Sequence, residues 1–324
     1  TLAWSSAASD VYKRQKQIMS FIKIEHTLFS LPFIIIGFFI AVEQFYPSGE
    51  MPLADLFWVL VAAVGARGLA MTLNRIIDRN IDAENPRTAQ RHLASGTMSM
   101  STAWTLAVAF LGMLLLGAGM LNEVALAMSW LPVLTFVVYP YTKRFTWLCH
   151  LWLGLCLGLA PAGAWVAIAA DFHGWEAITG TGGGFGSGLL WYPTIFFISL
   201  GVTLWITAFD INYARMDVES DRKNGINSFP ARFSERATTR TSIQLTLLWF
   251  ACFALADPME EAWFLIGALI MALANAYVML RNESLDKFQD ILFKVSVSTG
   301  WVLILPFLLP VSYTHLTLPT TKQV

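Results

Sequence analysis

The sequence predicts an all-α protein, a multi-pass transmembrane bundle of about nine helices, from three observations: bulk apolarity, the length of the apolar runs, and the placement of cations between them. Of 324 residues, 56% are hydrophobic and 13% charged, and the mean hydropathy is +0.57. One soluble core cannot cover that much apolar surface, so lipid has to serve as solvent. Runs long enough to span fall at 26–45, 54–73, 101–121, 124–142, 147–170, 189–210, 241–257, 261–280 and 291–312. The run at 241–257 is the shortest.

The cations test this count independently, because cytoplasmic loops retain Lys and Arg. Lys16 and Lys23 precede the first run; Arg75, Arg79, Arg87 and Arg91 follow the second; Lys143 and Arg144 follow the fourth. Arg215, Arg222, Lys223, Arg232, Arg236 and Arg240 surround the connection after the sixth run, and Arg281, Lys287 and Lys294 the one after the eighth. The alternate loops, 43–55, around Glu123, 171–188 and 257–261, contain no Lys or Arg. The N-terminus and both long charged loops are therefore expected on the cytoplasmic side of a membrane, in a bacterium the inner one.

Other features narrow the function. A formal net charge of −1 provides no basic field for nucleic acid. Cys149, Cys156 and Cys252 lie in apolar stretches without metal-site or disulfide spacing and read as small hydrophobes. No cleavable signal pattern precedes the first run, which is expected to act as its own insertion signal. Ser5–Gln15 and Val311–Thr321 resemble translated adapter sequence, so residues 1–15 and 311–324 are expected to be non-native and the functional reading is confined to a single domain at 16–310. The Gly-rich 180–188 stretch lacks the Lys-Ser/Thr of a phosphate loop and falls on the outer side, so it reads as a linker.

The chemistry lies in two acidic segments. After the second run, Arg67, Asn74, Asp78 and Asp82 are spaced seven, four and four apart, which places them near one helical face. After the sixth run, Asp210, Asp217 and Asp221 repeat the spacing of seven and four, and Pro86 and Gly225 are expected to end the two helical extensions. Carboxylates four apart repel each other, more strongly near lipid, and call for a cation. Mg²⁺ takes one or two protein carboxylates and completes its octahedron with water and substrate phosphate. The plainer alternative is a set of solvated ion pairs with Arg75, Arg79, Arg215 and Arg222 as partners. Arg67, inside the apolar run, needs a partner of its own or must snorkel.

At these residues the chain resembles the UbiA superfamily of intramembrane aromatic prenyltransferases. Asn74-x3-Asp78-x3-Asp82 is similar to its first motif, and Arg87-Thr88-x2-Arg91-x-Leu93-x-Ser95-Gly96 to the loop that follows. Asp210-x2-Tyr213-Ala214-x2-Asp217-x3-Asp221-x3-Gly225 is similar to its second motif. Tyr139-Pro140-x2-Lys143-Arg144-x-Thr146 resembles the basic motif of 4-hydroxybenzoate polyprenyltransferases, whereas His92, where that group usually has Pro, and Lys23-Ile-Glu25-His26-Thr27 suit prenyltransferases of the futalosine menaquinone route. The likeness covers about 16–310 and implies a UbiA-like bundle of nine helices.

It further implies Mg²⁺ held by Asn74, Asp78, Asp82, Asp217 and Asp221, with Asp210 touching the metal or one of its ligands, so that Asp78, Asp82, Asp210, Asp217 and Asp221 carry the catalysis. Arg87, Arg91, Lys143, Arg144 and Lys223 would bind diphosphate, and Tyr139 and Tyr213 would face an allylic cation. Arg67, a surplus cation seven residues and about 10 Å deeper than Asn74, is expected on its own account to meet the carboxylate of an aromatic acceptor such as 4-hydroxybenzoate. The partners are then a polyprenyl diphosphate, that acceptor and membrane lipid, in quinone biosynthesis. CDP-alcohol phosphotransferases share spaced aspartates but differ in having Asp-Gly and Ala-Arg elements within one continuous stretch. A secondary transporter would set its polar residues at the bilayer midplane rather than at one face.

Overall fold

The computed structural model describes residues 12, 15, 17–22, 27–46, 50–179, 192–259, 262–285 and 287–308. Lys16, Lys23, the Glu25-His26 pair, the Gly-rich 180–188 stretch and nearly all of both tails lie outside the described residues. Every regular element among the described residues is helical: α1 (Thr27–Phe45), α2 (Leu53–Ile77), α3 (Arg79–Glu84), α4 (Met100–Leu121), α5 (Glu123–Met128), α6 (Trp130–Thr142), α7 (Cys149–His173) and α8 (Glu176–Thr179). Then follow α9 (Pro193–Tyr213), a 3₁₀ turn (Ala214–Asp217), α10 (Val218–Lys223), α11 (Phe229–Arg232), α12 (Glu235–Ala256), α13 (Ala262–Leu280) and α14 (Phe288–Leu308).

Among the described residues, eight helical segments are long and apolar enough to cross a membrane, and the chain is an integral membrane protein. The expected ninth span corresponds to α12. It occupies the place of the shortest run, but its first three turns carry Arg236, Thr239, Arg240 and Gln244, too polar for a full span by composition.

Local chemistry sets the boundaries. The side chains of Ser99, Asn122 and Ser234 accept the Thr102, Ala125 and Ala237 amides and so start α4, α5 and α12. Pro193 occupies the first turn of α9, and Gly225, at φ +66°, turns the chain just beyond α10 as expected. Pro86 likewise lies just past α3.

Helices α1, α7 and α9 form the centre: α7 packs on α1, α6 and α9; α9 on α12; α12 on α13; α13 on α14; and α14 back on α1, while α2 joins through α4 and α6. Trp165, Trp205 and Trp249 are fully buried there, and the Phe33 ring lies 5.1 Å from that of Trp205. Because lipid is as apolar as Leu, close packing and polar contacts must hold the helices together. Asn212 Nδ2 donates to Ser242 Oγ at 2.8 Å across α9 and α12, and Asn275 Nδ2 to Thr299 Oγ1 at 2.9 Å across α13 and α14. Each such bond is worth about 1 kcal/mol in a membrane. Gly154 and Gly158 of α7 lie directly on the backbone of α9, where a Cβ would strike Thr203 and Ser199. Gly65 and Gly117 bring α2 and α4 together in the same way.

Candidate active site

The acidic segments form two joints at one end of the bundle. Asp78 interrupts the helix between α2 and α3 at φ −91°, ψ 4°, and Asp217 closes the 3₁₀ turn between α9 and α10 at φ −104°, ψ 1°. Regular helix is interrupted at an aspartate in each motif, yet the residues expected on one face, Arg67, Asn74, Asp78 and Asp82, and likewise Asp210, Asp217 and Asp221, still line one cavity. This cavity of about 500 Å³ runs inward from here, lined by the motif residues at one end and by Leu114, Ala118, Leu121 and Val166 farther in.

Each motif carboxylate has its own partners. Asp78 is 1% exposed; its Oδ2 accepts from Lys143 Nζ at 2.6 Å and Asn74 Nδ2 at 3.0 Å, while its Oδ1 has no hydrogen-bond partner. Burial raises the carboxyl of Asp78 above its ordinary value even though Lys143 pulls it down. Arg91 Nη1 spans both oxygens of Asp82 at 2.8 and 2.9 Å. Arg87 grips Asp217 bidentately at 2.8 and 2.5 Å, and Asn85 Nδ2 adds a third bond at 2.9 Å. Ser228 Oγ donates to Asp221 Oδ2 at 2.5 Å.

The ion-pair partners therefore differ from those the sequence offered. Arg215 pairs with Glu235, Arg222 donates to the Ala231 carbonyl, and Arg75 is buried with its guanidinium 5.6 Å from the Phe21 ring. Arg87 and Arg91, expected at the diphosphate, are the groups that reach back to the aspartates.

Arg67, Tyr139 and Tyr213 line the cavity together with Asn74, Asp78, Asp82, Lys143, Asp210, Asp217 and Asp221. Arg67 Nε is buried with no hydrogen-bond partner. The Tyr213 ring stacks on Phe209 at 5.4 Å with the Arg87 guanidinium 5.9 Å from its centre. Two residues fall outside the expectation. Lys223 is exposed and does not line the cavity; its place on the last turn of α10 turns it outward. Arg144 also lies off the cavity wall, where it donates to the Ile77 carbonyl at 2.9 Å and comes within 3.7 Å of Asp78 Oδ1.

Sequence reasoning missed Asn85, Ser228 and His150, which hold Asp217, Asp221 and Asp210 respectively. The first two sit in loops without a distinguishing pattern. His150 was signalled by its position, an ionisable group at the start of an apolar span.

Two carboxylate-bearing joints around one cavity, on a helical bundle, limit the comparison to a few protein classes. The profile of the UbiA prenyltransferase family matches residues 30–317. The chain belongs to the UbiA prenyltransferase family. This prenyltransferase is 27% identical over 232 residues to the 4-hydroxybenzoate octaprenyltransferase of Haemophilus ducreyi, covering 71% of the present chain and 77% of that one. To the Shewanella denitrificans 4-hydroxybenzoate octaprenyltransferase it is 26% identical over 277 residues, covering 82% and 83%. Among solved structures, the apo UbiA homologue of Aeropyrum pernix K1 superposes with a TM-score of 0.73 at 29% identity, over 86% of this chain and 96% of that one. A UbiA homologue of Archaeoglobus fulgidus bound to GPP and Mg²⁺ shares the fold, with a TM-score of 0.57 at 18% identity over 89% and 99%. Family membership sets aside both the CDP-alcohol phosphotransferase and the transporter.

Proposed function

We propose that this prenyltransferase moves a polyprenyl group from an allylic diphosphate to a 4-hydroxybenzoate-like aromatic acid in quinone biosynthesis. The observation that carries the reading is the cavity itself, which joins the carboxylate joints and their cations at one end to an apolar interior at the other.

Among the described residues no three His, Cys, Asp or Glu side chains form a ready metal cluster. The donor set nevertheless fits Mg²⁺, which needs only one or two protein carboxylates beside water and substrate phosphate, and Asp78 Oδ1, 3.7 Å from Arg144, accepts no hydrogen bond. Asn74, Asp78, Asp82, Asp217 and Asp221 would between them hold two or more such ions together with the diphosphate. When bound, Mg²⁺ supplies neutralisation of the charge that builds on the departing diphosphate. Arg87, Arg91 and Lys143 turn their donors to the phosphate oxygens. The C1–O bond breaks and its electron pair leaves with the diphosphate. Tyr139 and Tyr213 present ring faces to the allylic cation, and the apolar interior keeps water from it. An aromatic carbon of the acceptor then bonds C1, and the ring loses the proton it carried there.

The A. fulgidus homologue bound to GPP and Mg²⁺ supports the ligand class, and the names of the curated relatives support the acceptor. In reconstituted protein, pyrophosphate release is expected only with Mg²⁺, prenyl diphosphate and 4-hydroxybenzoate together. Undiminished release in excess chelator would contradict the metal assignment.

We also place the site at the cytoplasmic face of a bacterial inner membrane, with the N-terminus on the same side, from the distribution of Lys and Arg. Reporters fused after Asp82 and after Asp221 should both read cytoplasm; opposite readings would separate the two joints and end this reading of the site.

A further inference from the structure

His150 stands in the first turn of α7, 4% exposed, on the cavity wall. Its Nδ1 lies 2.7 Å from Asp210 Oδ2, and its Nε2 lies 3.0 Å from the Phe229 amide nitrogen, which donates to it. A backbone N–H directed at Nε2 requires a lone pair there, so the ring proton resides on Nδ1 and is donated to Asp210. A second proton on the ring would set N–H against N–H in a buried place.

The residues just before Phe229 belong to the other half of the site. Ser228 holds Asp221, and the Asn227 amide donates to the Lys143 carbonyl at 2.8 Å. One imidazole thus bridges Asp210 on α9 to the short segment that fixes Asp221.

We propose that His150 is a positioning residue: as a neutral ring, with one donor and one acceptor, it ties Asp210 to the 227–229 segment and so sets the two carboxylates relative to each other. It gains and loses no proton during turnover. This rests on the reading of the cavity as the site of prenyl transfer.

The proposal separates two substitutions that differ in hydrogen bonding but not in proton transfer. Gln carries an N–H donor and a carbonyl acceptor and cannot relay a proton; Leu has neither. With prenyl diphosphate and 4-hydroxybenzoate as probes, His150→Leu should lower kcat by about 10- to 100-fold, the range seen when a partner that orients a site carboxylate is removed, and should raise the KM for prenyl diphosphate. His150→Gln should recover most of both losses. Equal losses in the two variants would make His150 a proton carrier and overturn the proposal, as would an unimpaired His150→Leu. If the Leu variant fails to fold, ¹⁵N NMR of the histidine-labelled wild-type protein in lipid nanodiscs decides. The His150 ring should be neutral and protonated on Nδ1; an Nε2-protonated or doubly protonated ring would refute the tautomer and with it the bridge. The NMR measurement needs no substrate, so its failure is distinguishable from a failure of the substrate assignment.

Discussion

Asp78→Ala or Asp217→Ala is expected to abolish prenyl transfer while leaving an inserted, folded protein. Asp78 is the most buried of the motif carboxylates, with one buried oxygen that accepts no hydrogen bond, and Asp217 anchors the opposite joint through three hydrogen bonds. If each contributes several kcal/mol of stabilisation to charge building on the leaving group, its loss lowers kcat by on the order of 10³-fold or more. The cost to folding is smaller. Lys143, released from Asp78, is 24% exposed and Arg87, released from Asp217, is 37% exposed, so both freed cations can turn to water. Initial rates of pyrophosphate release, paired with size-exclusion profiles of the variants, test both halves of the expectation. A folded variant retaining a rate within tenfold of the parent would reduce that aspartate to an ordinary ion-pair partner.

The second large effect should come from Arg67→Leu. Arg67 lies seven residues before Asn74 on the same helix, about 10 Å deeper, which is roughly the separation between a diphosphate and a carboxylate across an aromatic ring. Its Nε is buried without a partner, so an acceptor carboxylate would satisfy it where a neutral phenol would not. Losing a charge-assisted bond of about 2–3 kcal/mol should lower kcat/KM for acidic acceptors by about 30- to 150-fold, mainly through KM, with prenyl diphosphate saturating. Neutral phenolic acceptors should be nearly unaffected. If the mutant uses 4-hydroxybenzoate no less efficiently than the parent, Arg67 does not anchor the acceptor, and the prenyltransferase assignment stands without it.

The bundle and the acidic motifs were legible because they depend on local pattern. Span length follows from bilayer thickness, and the Asn74, Asp78, Asp82 spacing is written in consecutive helical turns. The pairing was not legible because it is tertiary. Arg87 reaches Asp217 across 130 positions of sequence and Lys143 reaches Asp78 across 65, whereas the ion-pair partners the sequence offered, Arg75, Arg79, Arg215 and Arg222, lie within or beside the motifs. The breaks at Asp78 and Asp217 were hidden for a related reason: spacing alone assumes that a helix continues, and no Pro or Gly stands beside either aspartate. Lys223 was placed at the site with the motif, yet it stands two residues past Asp221, about half a turn of helix, which is enough to point it away.

The glycine contacts between α7 and α9 constrain how this enzyme can move. With Gly154 and Gly158 seated on the main chain of Thr203 and Ser199, an axial slip of one helix along the other would drive side chains into backbone. Shear is therefore resisted by this pair, and the registry of His150 with Asp210 rests on glycines seated against the α9 backbone and the Thr203 and Thr207 hydroxyls. On the proposed reading, admission of a prenyl chain would then fall to the helices around this pair, with α7 and α9 as the fixed frame.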